Sequence, residues 1–574
     1  MSSLTWRTIW RRIENLDVEK KFRRASSRRK AAAAVLLFIF VIYMFSSRKS
    51  ASPQDQNNLG KCTLEKLKFY KNAIDEFDVG LNENSMRFVG NGFFGIDPSG
   101  ELLVGKWLKE ATGLFPALEF EVEGASVEEE EAVVTDFRNG IVKVLKCFQM
   151  ENSECGCVTS SVFAHRTRKE VFVQEVSISN PTRSSVRLNL NRKSSNWWAN
   201  SKIGDITTHQ RQLGNTSYVV VCSDSPGKVT VSQKREETLK FHCVITNLQK
   251  LEAVQFFKET KEKYNNLNLE HEQTWKMENS EATFSIQTSK APNVLNGDRI
   301  NATRYLLQSH LESHPQPPAK LAGNCYNGHS TLLYPSRLWQ SEIFSRPISP
   351  SKATVTQIVE NWRLTLEKQG CTSLLTHSQG ITQAFVQSLG AASYNEGHLE
   401  LGLNSDDLHR EMRIGGIPIG GTVGRVTVNV RLDDENRPEF YVSSTNQLFA
   451  CDGGCLDQPV VLGKSETKIP VKVTKPVTSL LYVATNRKHL EQLKSAIHVA
   501  EVQSAPAHQD DVIELHKNGD TSSGSLPTSF WCLLILTLIA FHLILAKLFW
   551  NEWRKGDMTP YNPYLRNRYS LRPH

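Results

Sequence analysis

Several groups of residues in this chain are of types that could do chemistry. Cleavage of a glycosidic bond needs two carboxylates on either side of it, ~5–5.5 Å or ~6.5–9.5 Å apart, one held protonated by its surroundings. Glu119, Glu121 and Glu123 alternate with Leu118, Phe120 and Val122, so on a strand the three acids share one face. That pattern reads first as a solvated sheet face over a buried apolar one. Trp197, Trp198 and Trp339 could stack on sugar rings, although side chains of this size more often fill cores. Ser378, His377 and Asp406 are of the types found in a hydrolase triad. No Gly-x-Ser-x-Gly turn supports them, and neighbours on a strand point to opposite faces. The body has no His-Glu-x-x-His and no pair of Cys-x-x-Cys knuckles, so no metal and no cofactor are expected.

The cysteines point to a compartment. Cys62, Cys147, Cys155, Cys157, Cys222, Cys243, Cys325, Cys371, Cys451 and Cys455 form an even set, and Cys532 falls in an apolar run. An even set suggests disulfides made in an oxidising lumen. Asp-Gly-Gly between Cys451 and Cys455 allows that loop to close locally, whereas Cys155 and Cys157 are too close to bridge each other without strain. Asn215 and Asn301 begin glycosylation sequons; Pro181 excludes Asn180.

The elements that position these residues follow from hydrophobic pattern. Residues 31–47 form a short uncharged apolar stretch behind a basic leader, and residues 529–550 form a second apolar segment, uncharged from Phe530 to Ala546, with Trp531, Trp550 and Trp553 around its ends. Both are expected to span a membrane, the first as an uncleaved signal anchor. The basic tails, 1–30 and 551–574, are expected in the cytosol and the body in the lumen of the endoplasmic reticulum or Golgi. Arg566-Asn-Arg568 resembles an arginine-type retrieval signal. Residues 61–250 read as short strands separated by turns, which predicts a large antiparallel sandwich. Residues 251–395 change to helical period, with helices over 251–277 (interrupted near Asn265), after Asp298, over 353–368 and over 382–394. Strands return over 396–501, with a hairpin turn at Asp433 to Asn436, and 502–528 read as a flexible polar stalk. Gly415, Gly416, Gly420, Gly421 and Gly424 match no nucleotide fingerprint and read as turns that let backbones approach closely. The formal charge of +8 is concentrated in the tails, which argues against a nucleic-acid partner.

Four islands resemble glycoside hydrolase family sixty-five. They are Asn91-Gly-Phe-Phe-Gly95, His271-Glu-Gln-Thr-Trp275, Ile300-Asn-Ala-Thr-Arg-Tyr-Leu-Leu307, and Tyr326-Asn-Gly-His329 followed by Leu338-Trp-Gln-Ser-Glu-Ile-Phe344. The resemblance implies a β-supersandwich and a pocket lined by Tyr326, His329, Trp339, Gln340 and Glu342. Gln340 stands where the family has a sugar-holding Asp, and the family's acid motif is absent. The family's barrel of twelve helices, at ~11 residues each plus loops, exceeds the space between Asn301 and Tyr394. The whole chain also resembles an uncharacterised family of animal secretory-pathway membrane proteins.

These readings lead to an α+β chain: a large antiparallel β-supersandwich, a short helical segment and a small C-terminal β module, flanked by transmembrane helices. The function expected is that of a membrane-anchored lumenal glycoprotein. It is expected to be non-catalytic and derived from a carbohydrate-active scaffold, binding a glycan or lumenal protein or serving assembly and quality control. The alternatives are an active glycosidase or phosphorylase acting on glucosides, and a structural or adhesion ectodomain.

Overall fold

The computed structural model describes residues 61–71, 73, 77–81, 86–123, 130–149, 155–195, 197–314, 330–331, 344, 352–419, 424–519 and 528–556. The chain separates into two compact units, one spanning Leu59–Thr521 and the other comprising Met1–Asn58 with Ser522–His574. Helices are labelled α1 (Lys61–Lys71), α2 (Lys250–Glu262), α3 (Tyr264–Glu281), α4 (Gly297–Ser309), α5 (Lys352–Glu367), α6 (Ser378–Leu389), α7 (Arg487–Ile497), α8 (Asp510–Asn518) and α9 (Thr528–Gly556).

A nine-stranded antiparallel sheet dominates the first half of the larger unit. Its order is Phe77–Leu81, Glu130–Asp136, Ile141–Gln149, Cys155–Ala164, Val171–Asn180, Arg235–Thr246, Thr216–Cys222, Ile206–Leu213 and Ala199–Ile203. Its inner face packs on two smaller sheets. One has three strands, Gly227–Val231, Val186–Arg192 and Leu118–Glu123; the other has four short strands between Val89 and Ala111. Leu118, Phe120 and Val122 point inward, while Glu119 and Glu121 are exposed, as alternation requires. The outer face is covered by α2 and α3: Ala253, Val254 and Phe257 lie on Val219, Val221 and Val244, and Leu267 lies on Val171 and Val173. Strands covered on both faces explain the unbroken apolar run at Tyr218 to Val221. The helix expected over 251–277 is two helices that break at Lys263.

The second half shares one large core. A five-stranded sheet runs Thr283–Ile286, Met412–Ile419, Gly424–Leu432, Pro438–Ser444 and Thr467–Pro470. A six-stranded sheet runs Ser330–Thr331, Ala392–Asn395, His398–Leu401, Leu481–Ala484, Leu448–Asp452 and Val460–Leu462. Both sheets take strands from the segment read as helical linker, so pairing crosses residue 395. α6 is buried on every side, which leaves it no polar face. It starts and ends before the expected 382–394, because Gly390 caps it and Ala392–Asn395 turns into the sheet. Gly416, at φ +79°, sits in a bulge where an added Cβ would strike the Glu281 carbonyl, so the glycine there serves a close backbone approach as read. The expected hairpin at Asp433 to Asn436 joins Gly424–Leu432 to Pro438–Ser444.

The stalk read as flexible over 502–528 is partly built. Glu501–Ser504 pairs with Lys472–Lys475, and α8 follows with Ile513 buried. In the smaller unit, α9 contains the one helix among the described residues, Phe530–Arg554, that is long and apolar enough to cross a membrane. The first apolar segment, 31–47, lies outside the described residues.

Among the described residues, three cysteine pairs are seen bonded to each other. Cys147 faces Cys157 and Cys222 faces Cys243 as directly opposed residues of neighbouring strands. Cys451 closes locally on Cys455, as its spacing suggested. Cys62 is also disulfide-bonded and is buried beside Cys147 and Cys157. Cys371 lies half-buried at the start of the turn Thr372–Thr376.

Candidate functional site

The island at Asn91 builds the wall of a cleft. The Asn91 amide donates to the His165 and Lys169 carbonyls, and its Oδ1 accepts from the Phe93 and Phe94 N–H groups. Asn91 is buried, so this one side chain fixes the loop. Gly92, at φ +88°, then brings the backbone against Leu311 and Glu312 so closely that an added Cβ would overlap them. The Gly92 N–H donates to the Ser309 carbonyl, which ties the loop to the end of α4.

The cleft that results has a volume of about 620 Å³. Phe93, Trp107 and Tyr218 supply aromatic surface; Lys106, Glu312, His314, Glu367 and His377 supply polar groups. Trp107 is half-buried and has φ +60°, the left-handed region that costs a bulky residue on the order of 1–3 kcal/mol and that collects at functional sites. His314 and His377 place their rings 4.3 Å apart. The Gln379 side chain grips His314 by both backbone groups, accepting from its N–H and donating to its carbonyl. Desolvation and the neighbouring His314 hold His377 below its ordinary value. Burial holds His310 down to about 4. Its Nδ1–H donates to the Leu306 carbonyl, so the neutral ring keeps Nε2 as an acceptor.

The floor of the cleft is anchored from below by a buried ion pair. Arg166 is fully buried, pairs with Glu278 of α3 at 2.8 Å, and stacks on Trp275. Its remaining donors reach the Gln308 and Leu311 carbonyls. His271 accepts from the Arg166 N–H through Nδ1 and is held neutral by complete burial. The His271 and Trp275 island therefore clamps sandwich, α3 and α4 together. Tyr305 of the next island donates to the Phe88 carbonyl and stacks near Trp275.

Two carboxylates line the cleft, and both are matched by cations. Glu312 pairs with Lys169 at 3.1 Å, and Glu367 with Arg363 at 2.6 Å; both are more than a third exposed. A general acid for bond cleavage is instead kept protonated by burial away from cations. No group of three or more metal-ligating side chains occurs among the described residues.

Other sequence candidates are dispersed. Tyr326, His329, Trp339, Gln340, Glu342 and Cys325 lie outside the described residues. Phe344, the end of their island, is buried against Trp362 and Phe385, and Ser330–Thr331, directly after His329, pairs with Tyr394 and Ser393. His377 lines the cleft, Ser378 is buried at the start of α6, and Asp406 lies beside His409, so the three form no triad. Glu119 and Glu121 border a second cavity of about 570 Å³, and Glu123 pairs with Lys228. Trp198 is buried and donates to the Thr112 carbonyl; Trp197 is exposed beneath Arg211. Asn215 is exposed in a hairpin turn. Asn301 is half-buried in α4 with Thr303 fully buried, a poor setting for a glycan on the folded chain. Sequence reasoning missed Trp107, Lys106 and Glu312, because nothing in a linear pattern signals that they meet.

The fold and cleft define a class: a mixed α+β protein with a large antiparallel sandwich, a polar and aromatic cleft, and one apolar helix of spanning length. The chain belongs to the family described as "Uncharacterized conserved protein (DUF2152)", whose pattern matches residues 12–572. Among its relatives are "Uncharacterized protein KIAA2013 homolog" of Xenopus tropicalis, 26% identical over 81% of this chain and 82% of that one, and its counterpart in Xenopus laevis, 27% identical over 86% and 89%. Among solved structures it is similar to a putative kojibiose phosphorylase from human microbiome, at 14% identity and a TM-score of 0.32, over 43% of this chain and 42% of that one.

Proposed function

We propose that this protein is a membrane-anchored lumenal ectodomain that binds a glycan, free or carried on another protein, and does not cleave it. The observation that carries this reading is the cleft of about 620 Å³, which sets Trp107 and Phe93 beside hydrogen-bonding groups such as His314 and His377. Flat aromatic faces with a few convergent polar groups suit a sugar ring, whose faces are apolar and whose edges are hydroxylated. The ion pairing of Glu312 and Glu367 supports binding over catalysis. Disulfides support an oxidising compartment, and α9 supports anchoring. A second cytosolic-tailed span at 31–47, glycosylation at Asn215, and residence in the endoplasmic reticulum or Golgi belong to the same proposal.

The test is a glycan array probed with the purified full chain in detergent micelles, followed by titration of hits against W107A. Binding that W107A weakens by about tenfold or more supports the reading. Binding unaffected by W107A and by H314A would move the ligand elsewhere. The rival reading is an active glycosidase or phosphorylase, favoured by the presence of two carboxylates in one cleft. Robust turnover of a glucoside, abolished in E312Q or E367Q, would replace the binding proposal with it.

A further inference from the structure

Three histidines from two stretches of chain meet where α8 packs on the rest of the larger unit. His409 follows the short turn Ser405–Asp407, His508 precedes α8, and His516 lies in its last turn. The rings of His409 and His516 stack with centroids 4.5 Å apart, and His508 lies edge-on to His409 at 5.9 Å. The contacts that hold α8 are few and lie around this cluster. His516 Nδ1 is 2.7 Å from Ser289 Oγ, and the Lys290 N–H donates to the His516 carbonyl. The His508 N–H donates to the Asn436 carbonyl, and the Asn436 amide donates to Asp510. Ile513 is the buried residue of the helix.

The charges around the cluster are unevenly set. Buried Arg410 donates to the Gln287 and Leu295 carbonyls, and its positive charge bears on His516. Asp406 attracts a proton on His508, and half-buried Asp407 faces His409. Burial, then His409, then Arg410 hold His516 down to about 4; burial and His409 also lower His508.

We propose that α8 is an acid-released strap: docked while the imidazoles of His508 and His516 are neutral, and freed when they take up protons. A group whose value is depressed on docking binds more protons when undocked. The docked state is therefore fully favoured above the ordinary imidazole value of about 6.5 and loses ground as pH falls from there towards 4. Release would free residues 506–518 from the rest of the larger unit, Ala505 staying bound to Val471. The inference does not depend on the glycan reading.

Amide hydrogen exchange of the full chain in detergent micelles tests it, at about pH 7.4 and about pH 5.2, with intrinsic exchange corrected for. Peptides covering residues 508–519 should exchange about tenfold faster or more at the lower pH, while Gly424–Leu432 and Pro438–Ser444 keep their protection. H516Q, which removes the more strongly depressed imidazole while its amide can still bond Ser289, should keep α8 better protected than wild type at the lower pH. If those reference strands show H516Q to be misfolded at neutral pH, H508N asks the same question, since its backbone N–H can still donate to Asn436. Protection of 508–519 that is indifferent to pH, or lost equally in wild type and in the folded variant, overturns the proposal. So does loss of protection in the strap and reference strands together.

Discussion

Arg166 shows how much of the cleft rests on one side chain that lies outside it. The guanidinium is desolvated, and its charge is satisfied by Glu278, the Gln308 and Leu311 carbonyls and the Trp275 ring. Removing one member of a buried pair strands the other, at a cost of about 3–5 kcal/mol. R166M is therefore expected to lower the urea midpoint of the full chain sharply, whereas R166M/E278L, which removes both charges, should recover much of the loss. Equal destabilisation in the two variants would contradict this account. Gly92 makes a second residue-scale prediction. Alanine there meets the backbone of Leu311 and Glu312 and a left-handed φ, so G92A should disturb the cleft while leaving the strands of the sandwich intact. The part of the intrinsic fluorescence that W107F removes (Trp107 is one of 11 tryptophans), compared with far-ultraviolet circular dichroism, separates the two effects.

At the scale of elements, disulfides reinforce pairings that hydrophobic alternation already specifies. Cys222 and Cys243 join the edge of the Thr216–Cys222 strand to the long Arg235–Thr246 strand, over a sequence separation of 21. Losing a loop of this size from the cross-linked chain costs about 3 kcal/mol in the chain-entropy account. C222A/C243A should unfold at a lower urea concentration by that order, measured by circular dichroism, with the native spectrum retained in its absence. The hairpin Ala199–Ile203 to Ile206–Leu213 escaped sequence reading because its residues are mostly polar and half-buried or exposed, so no alternation marks it. α7 escaped for a related reason: Leu490 is its one fully buried residue. The strands at Val171–Asn180 and Gly424–Leu432 were legible because their apolar residues face a dense core.

For the whole molecule, buried neutral histidines set an acid limit. Burial holds His165, His242 and His310 down to about 4, and His271 well below its ordinary value. Unfolding exposes these rings to water, where they protonate near pH 6.5. The folded state is therefore unaffected above that value and loses stability as pH falls towards 4. The urea midpoint of the full chain should be lower at about pH 5 than at about pH 7.5; an unchanged midpoint would mean that other groups offset these four. The proposed lumenal orientation supplies a further expectation. Protease added to sealed vesicles should trim the terminal tails and spare Leu59–Thr521, and digestion of that body would place it on the cytosolic side.

The sequence alone determined the class of the molecule: α+β, a strand-rich first half, an apolar run near the C-terminus, and a local bond between Cys451 and Cys455. Those features follow from short-range periodicity and spacing, which a linear reading captures. The tertiary structure decided the cleft, in which residues near 92, 107, 218, 312 and 377 converge. It also decided the Arg166 anchor, the crossing of sheets between expected modules, and the docking of α8. Each of these depends on contacts between residues far apart in the chain, whose partners are chosen by burial and charge only once the sheets have formed.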